Sequence, residues 1–338
     1  MRVVVRHGWI AASSLFLLAC GASNPGTQPG AAADARLAET QERQAPQASS
    51  AVKEGEGKLQ ANDAAGAKAA FERALAENPR DARAALDLGI ANEMLEDLEG
   101  AEIAYRKALE LDPNFAEAQN NLGVLLRDRG ALEEAVELLE RAAKTNSGSA
   151  AAHQNLALAL EDRNQLDRAG QEYARALELA PDDAMTRANY GLLLLRQDKK
   201  QEAARELSQA LGQAKDRAAL LAIGNGLRRA GDANGAVRAM EQAVAAGQPT
   251  PALLSELALA QRAAGQDAKA LATLDRALQG DPKYALAHYL KGNMLAADKK
   301  FPEAKSEFET YLKLAPSGEQ ASNARARLQV IAQQKKGR

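Results

Sequence analysis

The side chains that could do chemistry in this chain are few and poorly placed to do it together. Apart from His7, the histidines are His153 and His288, far apart in sequence, so neither brings a second ring for metal binding or proton relay. Cys20 is the only cysteine, which rules out an internal disulfide and any Cys-x-x-Cys redox or zinc pair. Acidic pairs such as Glu133-Glu134 and Asp182-Asp183 could serve a general acid and base, but they sit where helices are expected to start and there complement the helix dipole. No phosphate-cradling glycine loop and no serine in a strained elbow is present. These residues point away from an enzyme and call for no cofactor and no metal.

The elements that would position such residues are helical. Aromatic content is 4% while alanine is abundant, a composition suited to closely packed helices. Residues 1–19 hold Arg2 and Arg6 followed by an apolar run of about a dozen residues, which fits a signal peptide and is short of the roughly 20 needed to cross a bilayer. Removing them leaves 41 Lys and Arg against 45 Asp and Glu, a net −4 that offers nucleic acid no attraction. Residues 21 to about 47 carry Gly, Ala, Ser, Gln, Thr and Pro with almost no large apolar side chain, the composition of a disordered tether.

Leu17-Leu18-Ala19-Cys20-Gly21 resembles the lipobox of bacterial lipoproteins, a resemblance that implies acylation of Cys20 as the first residue of the mature chain. Gly21, in place of Asp, is similar to the sorting signal for the outer membrane, so the implied location is an outer-membrane lipoprotein facing the periplasm. Cleavage nearby, after Ala22, is the alternative and leaves a soluble periplasmic protein.

From residue 48 a pattern recurs every 34 residues, with one step of 33. Small residues fall at Gly55, Gly89, Gly123, Ala157, Gly191, Gly224, Ala258 and Gly292, and alanines at Ala67, Ala101, Ala135, Ala169, Ala203, Ala236, Ala270 and Ala304. Four residues after each alanine stands Phe71, Tyr105, Leu139, Tyr173, Leu207, Met240, Leu274 or Phe308. Small sites let two helices approach closely, and a larger residue one turn on fills the space beyond. Proline closes many units, at Pro79, Pro113, Pro181, Pro282 and Pro316. The pattern resembles the tetratricopeptide repeat and predicts an all-α solenoid of eight helix-turn-helix units over 48–316, with a capping helix and basic tail over 317–338. Units three, five and six lack the proline, and the fifth junction is a residue short, so an irregularity is expected near Asp216.

In arrays of this family the first helix of each unit lines a concave groove, and the residue two before the small site points into it. The resemblance assigns to that place Asp87, Asn121, Asn155, Asn189 and Glu256, with Lys53, Ala222 and Leu290 in the remaining units. Three successive asparagines are similar to the ladders by which peptide-binding arrays grip an extended backbone; the alternative is that each amide bonds a neighbouring helix. Placed in the groove, they are expected to face solvent in the free protein. Arg127, Arg196, Arg228, Arg229 and Arg262 end first helices and could favour an acidic ligand, but Glu93, Asp128, Glu161 and Asp162 hold similar places, which favours a solvated mixed-charge face. His153 and His288 fall where the family has a large ring, and packing is their expected role. The architecture is similar to that of pilotin-like assembly lipoproteins of type IV pili, of tight-adherence pilus factors and of gliding-motility repeat proteins. It implies a scaffold that binds protein partners in its groove, the alternative being an adaptor that recruits cell-wall synthases or hydrolases.

Overall fold

A computed structural model describes residues 49–336; the expected signal peptide, Cys20 and the expected tether lie outside them. The described residues form seventeen helices. Sixteen pair into eight hairpins: α1 (Ser50–Gln60) with α2 (Ala64–Glu77), α3 (Ala82–Met94) with α4 (Leu98–Leu111), α5 (Ala116–Asp128) with α6 (Leu132–Thr145), α7 (Ala150–Asp162) with α8 (Leu166–Leu179), α9 (Ala184–Arg196) with α10 (Lys200–Gln213), α11 (Arg217–Ala230) with α12 (Ala233–Ala245), α13 (Pro251–Ala263) with α14 (Asp267–Gly280), and α15 (Ala285–Ala297) with α16 (Phe301–Leu314). The seventeenth, α17 (Ala321–Lys336), follows the last hairpin. The chain divides within α7 into two compact units, residues 49–159 and 160–336.

The repeat signature is the core. All eight second-helix alanines and all eight large residues one turn later are fully inaccessible. Each glycine of the small series faces that large residue of its own hairpin: a Cβ on Gly123 would stand 2.6 Å from Leu139 Cγ, and one on Gly191 2.6 Å from Leu207 Cγ. The ring or branched chain lies on the glycine and reaches on to the next first helix, as Tyr105 does in a cluster with Ala118 and Leu122. Each hairpin therefore needs its neighbour to complete its burial.

Turn chemistry accounts for the boundaries. Asn78, Asp112 and Asp281 end second helices in extended backbone, the conformation that the following proline demands. Asp63, Asp97 and Asp232 cap second helices, each side chain accepting from a glycine amide three residues on. The missing residue at the fifth junction comes out of the turn: three residues, Ala214 to Asp216, separate α10 from α11, where four separate α8 from α9. Asp216 there caps α11 through the Ala219 amide, at 2.9 Å.

Candidate functional site

On α3 the spacing i, i+4, i+7, i+11 aligns Arg83, Asp87, Ile90 and Met94; on α5 it aligns Glu117, Asn121, Val124 and Asp128; on α7 it aligns Ala151, Asn155 and Leu158. Positions two before and one after the small site thus share one face of each first helix. Asp87, Asn121 and Asn155 belong to the unit 49–159, whereas Asn189 and Glu256 belong to the unit 160–336.

The side chains are less free than their expected place in a groove suggests. Asp87 is 2% exposed and Asn189 7%, while Asn121, Asn155 and Glu256 are half-buried. The expectation that the asparagines face solvent is therefore corrected for Asn189, and Asp87 is buried as well. Burial at this position calls for a partner, and that of Asp87 is Arg83, one turn back on the same helix. Asn155 Nδ2 donates to Asn120 Oδ1 at 2.9 Å, and Asn120 Nδ2 to Asn121 Oδ1 at 3.2 Å. The Tyr105 hydroxyl donates to Glu93. Arg83 closes the same row, donating from Nε to Asp87 Oδ2 at 3.1 Å and from Nη1 to Glu117 Oε2 at 2.9 Å.

Electrostatics follow burial. Burial pushes the Asp87 carboxyl up to about 6 against the pull of Arg83, with Glu56 and Glu117 adding repulsion. Burial also raises Glu93, although the Tyr105 hydroxyl favours its ionised form. Tyr105 itself is raised by burial and by the Glu93 charge. The Arg83 guanidinium is opposed by burial but carried above its ordinary value by Asp87 and Glu117.

In the second unit, Tyr173 donates to Glu161 at 3.1 Å and Arg196 adds a 2.7 Å bond to the same carboxylate. Glu161 is 7% exposed and its counterpart Glu93 is half-buried, and each accepts from a buried tyrosine, which corrects the expected solvated mixed-charge face at these two places. The spacing carried the signal: a glutamate stands twelve residues before each tyrosine of the large series and before no other member of it. Glu256 lies 4.0 Å from Arg228, whose Nη2 also donates to Asn225. Arg127 bonds Asp128 at 2.8 Å.

The histidines do more than pack. His288 Nε2 lies 3.0 Å from the Pro282 carbonyl and Nδ1 2.6 Å from Glu307, while His153 Nε2 lies 3.4 Å from the Ser147 carbonyl. Gln119 and Arg187 at the same repeat position donate to the carbonyls of Pro113 and Pro181, so this position ties a first helix to the turn before it. Glu133 and Glu134 lie in the first turn of α6, and Asp183 caps α9. Among the described residues no three His, Cys, Asp or Glu side chains gather to hold a metal, and no helix is long and apolar enough to cross a membrane.

Three sequence profiles of the tetratricopeptide repeat match, over residues 52–115, 221–285 and 256–319, over 104–137, and over 126–188. No curated protein sequence matches. Among solved structures, PilW, described as a widely conserved type IV pilus biogenesis factor, is 20% identical, with 58% of this chain and 91% of that one covered and a TM-score of 0.53. YrrB, described as a TPR protein with an unusual peptide-binding site, is 24% identical over 54% of this chain and 94% of that one, with a TM-score of 0.45. A tetratricopeptide repeat protein from Parabacteroides merdae is 18% identical over 74% and 98%, with a TM-score of 0.48. At these identities the likeness concerns the fold alone.

Proposed function

We propose, from the premise that this chain belongs to the tetratricopeptide-repeat family, that it is a lipid-anchored periplasmic scaffold which holds a protein segment of an envelope machine during assembly. The family's repeats are protein-interaction modules, and the repeat array occupies nearly all of the described residues. The observation that carries the reading is the face of successive first helices, where equivalent positions recur at 34-residue spacing and present amides, carboxylates and aliphatic groups in rows. A row of that kind suits an elongated ligand.

Anchoring rests on the sequence, in which Cys20 stands directly after the apolar run and nowhere else. Acylation there places the array at the inner surface of the outer membrane, standing off on the tether. A pilus or gliding-motility complex is the kind of machine this build serves, and the fold likeness to PilW accords with it. The test is photo-crosslinking in intact cells followed by identification of the partner, with membrane fractionation of Cys20→Ala beside it. Recovery of one envelope-machine subunit and release of the variant from membranes are expected. A variant still membrane-bound after carbonate washing would overturn the anchor, and a protein that crosslinks to no partner would overturn the scaffold.

A further inference from the structure

The row one residue beyond the small sites belongs to none of the polar networks described above. Ile90, Val124 and Leu158 stand there on α3, α5 and α7, at steps of 34, and each is partly exposed. Each lies about one turn from Asp87, Asn121 or Asn155 on the same helix face, so three aliphatic side chains run beside the three polar ones. The corresponding residue of α1 is Glu56, which has no cationic partner among the described residues and lies close enough to raise the Asp87 carboxyl. The row is therefore three apolar steps ending on a carboxylate.

The charge around it is predominantly negative. Residues 49–159 hold 12 Lys and Arg against 20 Asp and Glu, whereas residues 160–336 hold 26 against 22. On the first-helix face of the N-terminal unit, Glu56, Asp87, Glu117 and Asp128 outnumber Lys53 and Arg83, and Arg83 is already occupied by two carboxylates. The matching face of the C-terminal unit has Asp162 and Glu256 against Arg196 and Arg229, and asparagines at 225 and 293 break its aliphatic row.

We propose that the stripe Ile90–Val124–Leu158 is the docking surface for an extended, basic and apolar segment of a partner protein, with a Lys or Arg of that segment directed at Glu56. Packed helices lie roughly 8–10 Å apart, so neighbouring stripe residues are separated by about that distance. An extended chain advances about 3.1–3.4 Å per residue, so every third residue of the segment meets one stripe residue. The segment buries apolar side chains on the aliphatic row, its backbone runs beside the Asn121 and Asn155 amides, and its positive charge meets the acidic unit. This assignment rests on the scaffold reading above and adds to it the partner's chemistry and the unit that receives it.

The test uses the full chain and two labelled peptides of about a dozen residues, one with leucine at every third position and lysines between, the other with glutamates in place of the lysines. Fluorescence anisotropy at low salt is expected to show the basic peptide binding at least about tenfold tighter than the acidic one. The triple change Ile90→Ser, Val124→Ser, Leu158→Ser is expected to abolish that preference, while Leu192→Ser with Leu259→Ser leaves it intact. If the triple variant melts early, Val124→Thr alone replaces it, and a loss of about threefold or more is expected. Equal binding of the two peptides, an unchanged affinity in the stripe variants, or binding of neither peptide overturns the assignment. The scaffold reading is decided separately, by the crosslinked partner in cells.

Discussion

The units 49–159 and 160–336 are built from one hairpin and bury their polar groups in different company. In the first, Asp87 is held by Arg83 alone, Glu93 is held by the Tyr105 hydroxyl, and the Asn92 Oδ1 is buried with no partner. In the second, the corresponding Glu161 has both Tyr173 and Arg196, and Gln261, in the place of Asn92, accepts from Thr273 at 2.8 Å. Equivalent positions thus carry polar groups that are thinly supported in one unit and doubly supported in the other. A repeat specifies where a side chain goes, and the cost of placing it depends on what the next repeat offers.

The sharpest way to break this comparison is at the small sites, where the partner differs in stiffness. A Cβ on Gly89 would overlap the rigid Tyr105 ring, whereas one on Gly224 meets chiefly the flexible end of Met240, at 2.8 Å. Gly89→Val is expected to destabilise the N-terminal unit by about 3 kcal/mol, and Gly224→Val to cost about 1 kcal/mol in the other, because a methionine can move aside. Denaturant unfolding of the two variants checks this, and a larger cost at Gly224 would contradict it.

A smaller effect follows from titration. The Asp87 carboxyl rises from 3.8 to about 6 in the folded protein, so the unfolded state releases its proton first as pH climbs. The stability linked to this group is complete below about pH 4 and is lost as pH rises through about 6. Raised Glu93 acts in the same direction. The partly exposed Arg83 beside Asp87 screens the effect, leaving about 2 kcal/mol at most. Hydrogen exchange in α3 is expected to slow as pH falls from 7 to 4 after correction for intrinsic rates. In α9, where Asn189 holds the position, it should stay flat, and Asp87→Asn should flatten α3 as well.

Much of this fold is legible in the residues themselves, because a 34-residue spacing of small and large side chains leaves one way to stack helices. Ala101, Ala135 and Tyr105 are buried where that spacing requires. The candidate site was less legible for a physical reason. Position in the repeat assigns Asn121 and Asn155 to the groove, yet whether an amide is free depends on neighbours such as Asn120 that the repeat pattern does not constrain. The Glu-to-Tyr spacing of twelve was present in the sequence, but its meaning required knowing that the tyrosine hydroxyl reaches back over the small site to the end of the first helix. The aliphatic row carries no signal of its own in the sequence, because single half-exposed Ile, Val and Leu residues are ordinary on a surface.

Opposite signs are expected at the position shared by Asn92 and Gln261. Leucine occupies it at Leu126, Leu160, Leu194, Leu227 and Leu295. Asn92→Leu removes a buried acceptor that bonds nothing and is expected to stabilise the chain by about 1 kcal/mol. Gln261→Leu instead strands the buried Thr273 hydroxyl and is expected to destabilise by about 1 kcal/mol. Thermal melts of the two variants moving in the same direction would show that the two units do not differ in this respect.

The finest discrimination lies in the two tyrosines. Tyr105→Phe leaves the half-buried Glu93 with its hydrogen bond gone, and a carboxylate so placed either keeps its charge at a cost of about 1–3 kcal/mol or takes up a proton. Tyr173→Phe removes the same hydroxyl from Glu161, but Arg196 remains 2.7 Å from that carboxylate and holds its charge. The first change is therefore expected to cost about 0.5–1 kcal/mol more than the second at pH 7. That gap should narrow as pH falls, because burial raises Glu93 and a protonated Glu93 no longer needs a donor. Adding Arg196→Ala to Tyr173→Phe removes the second support and should bring its cost up to that of Tyr105→Phe. Equal costs for the two single changes at pH 7 would mean that Arg196 contributes nothing to Glu161, and the contrast between thinly and doubly supported carboxylates would fail at the pair where it is most direct.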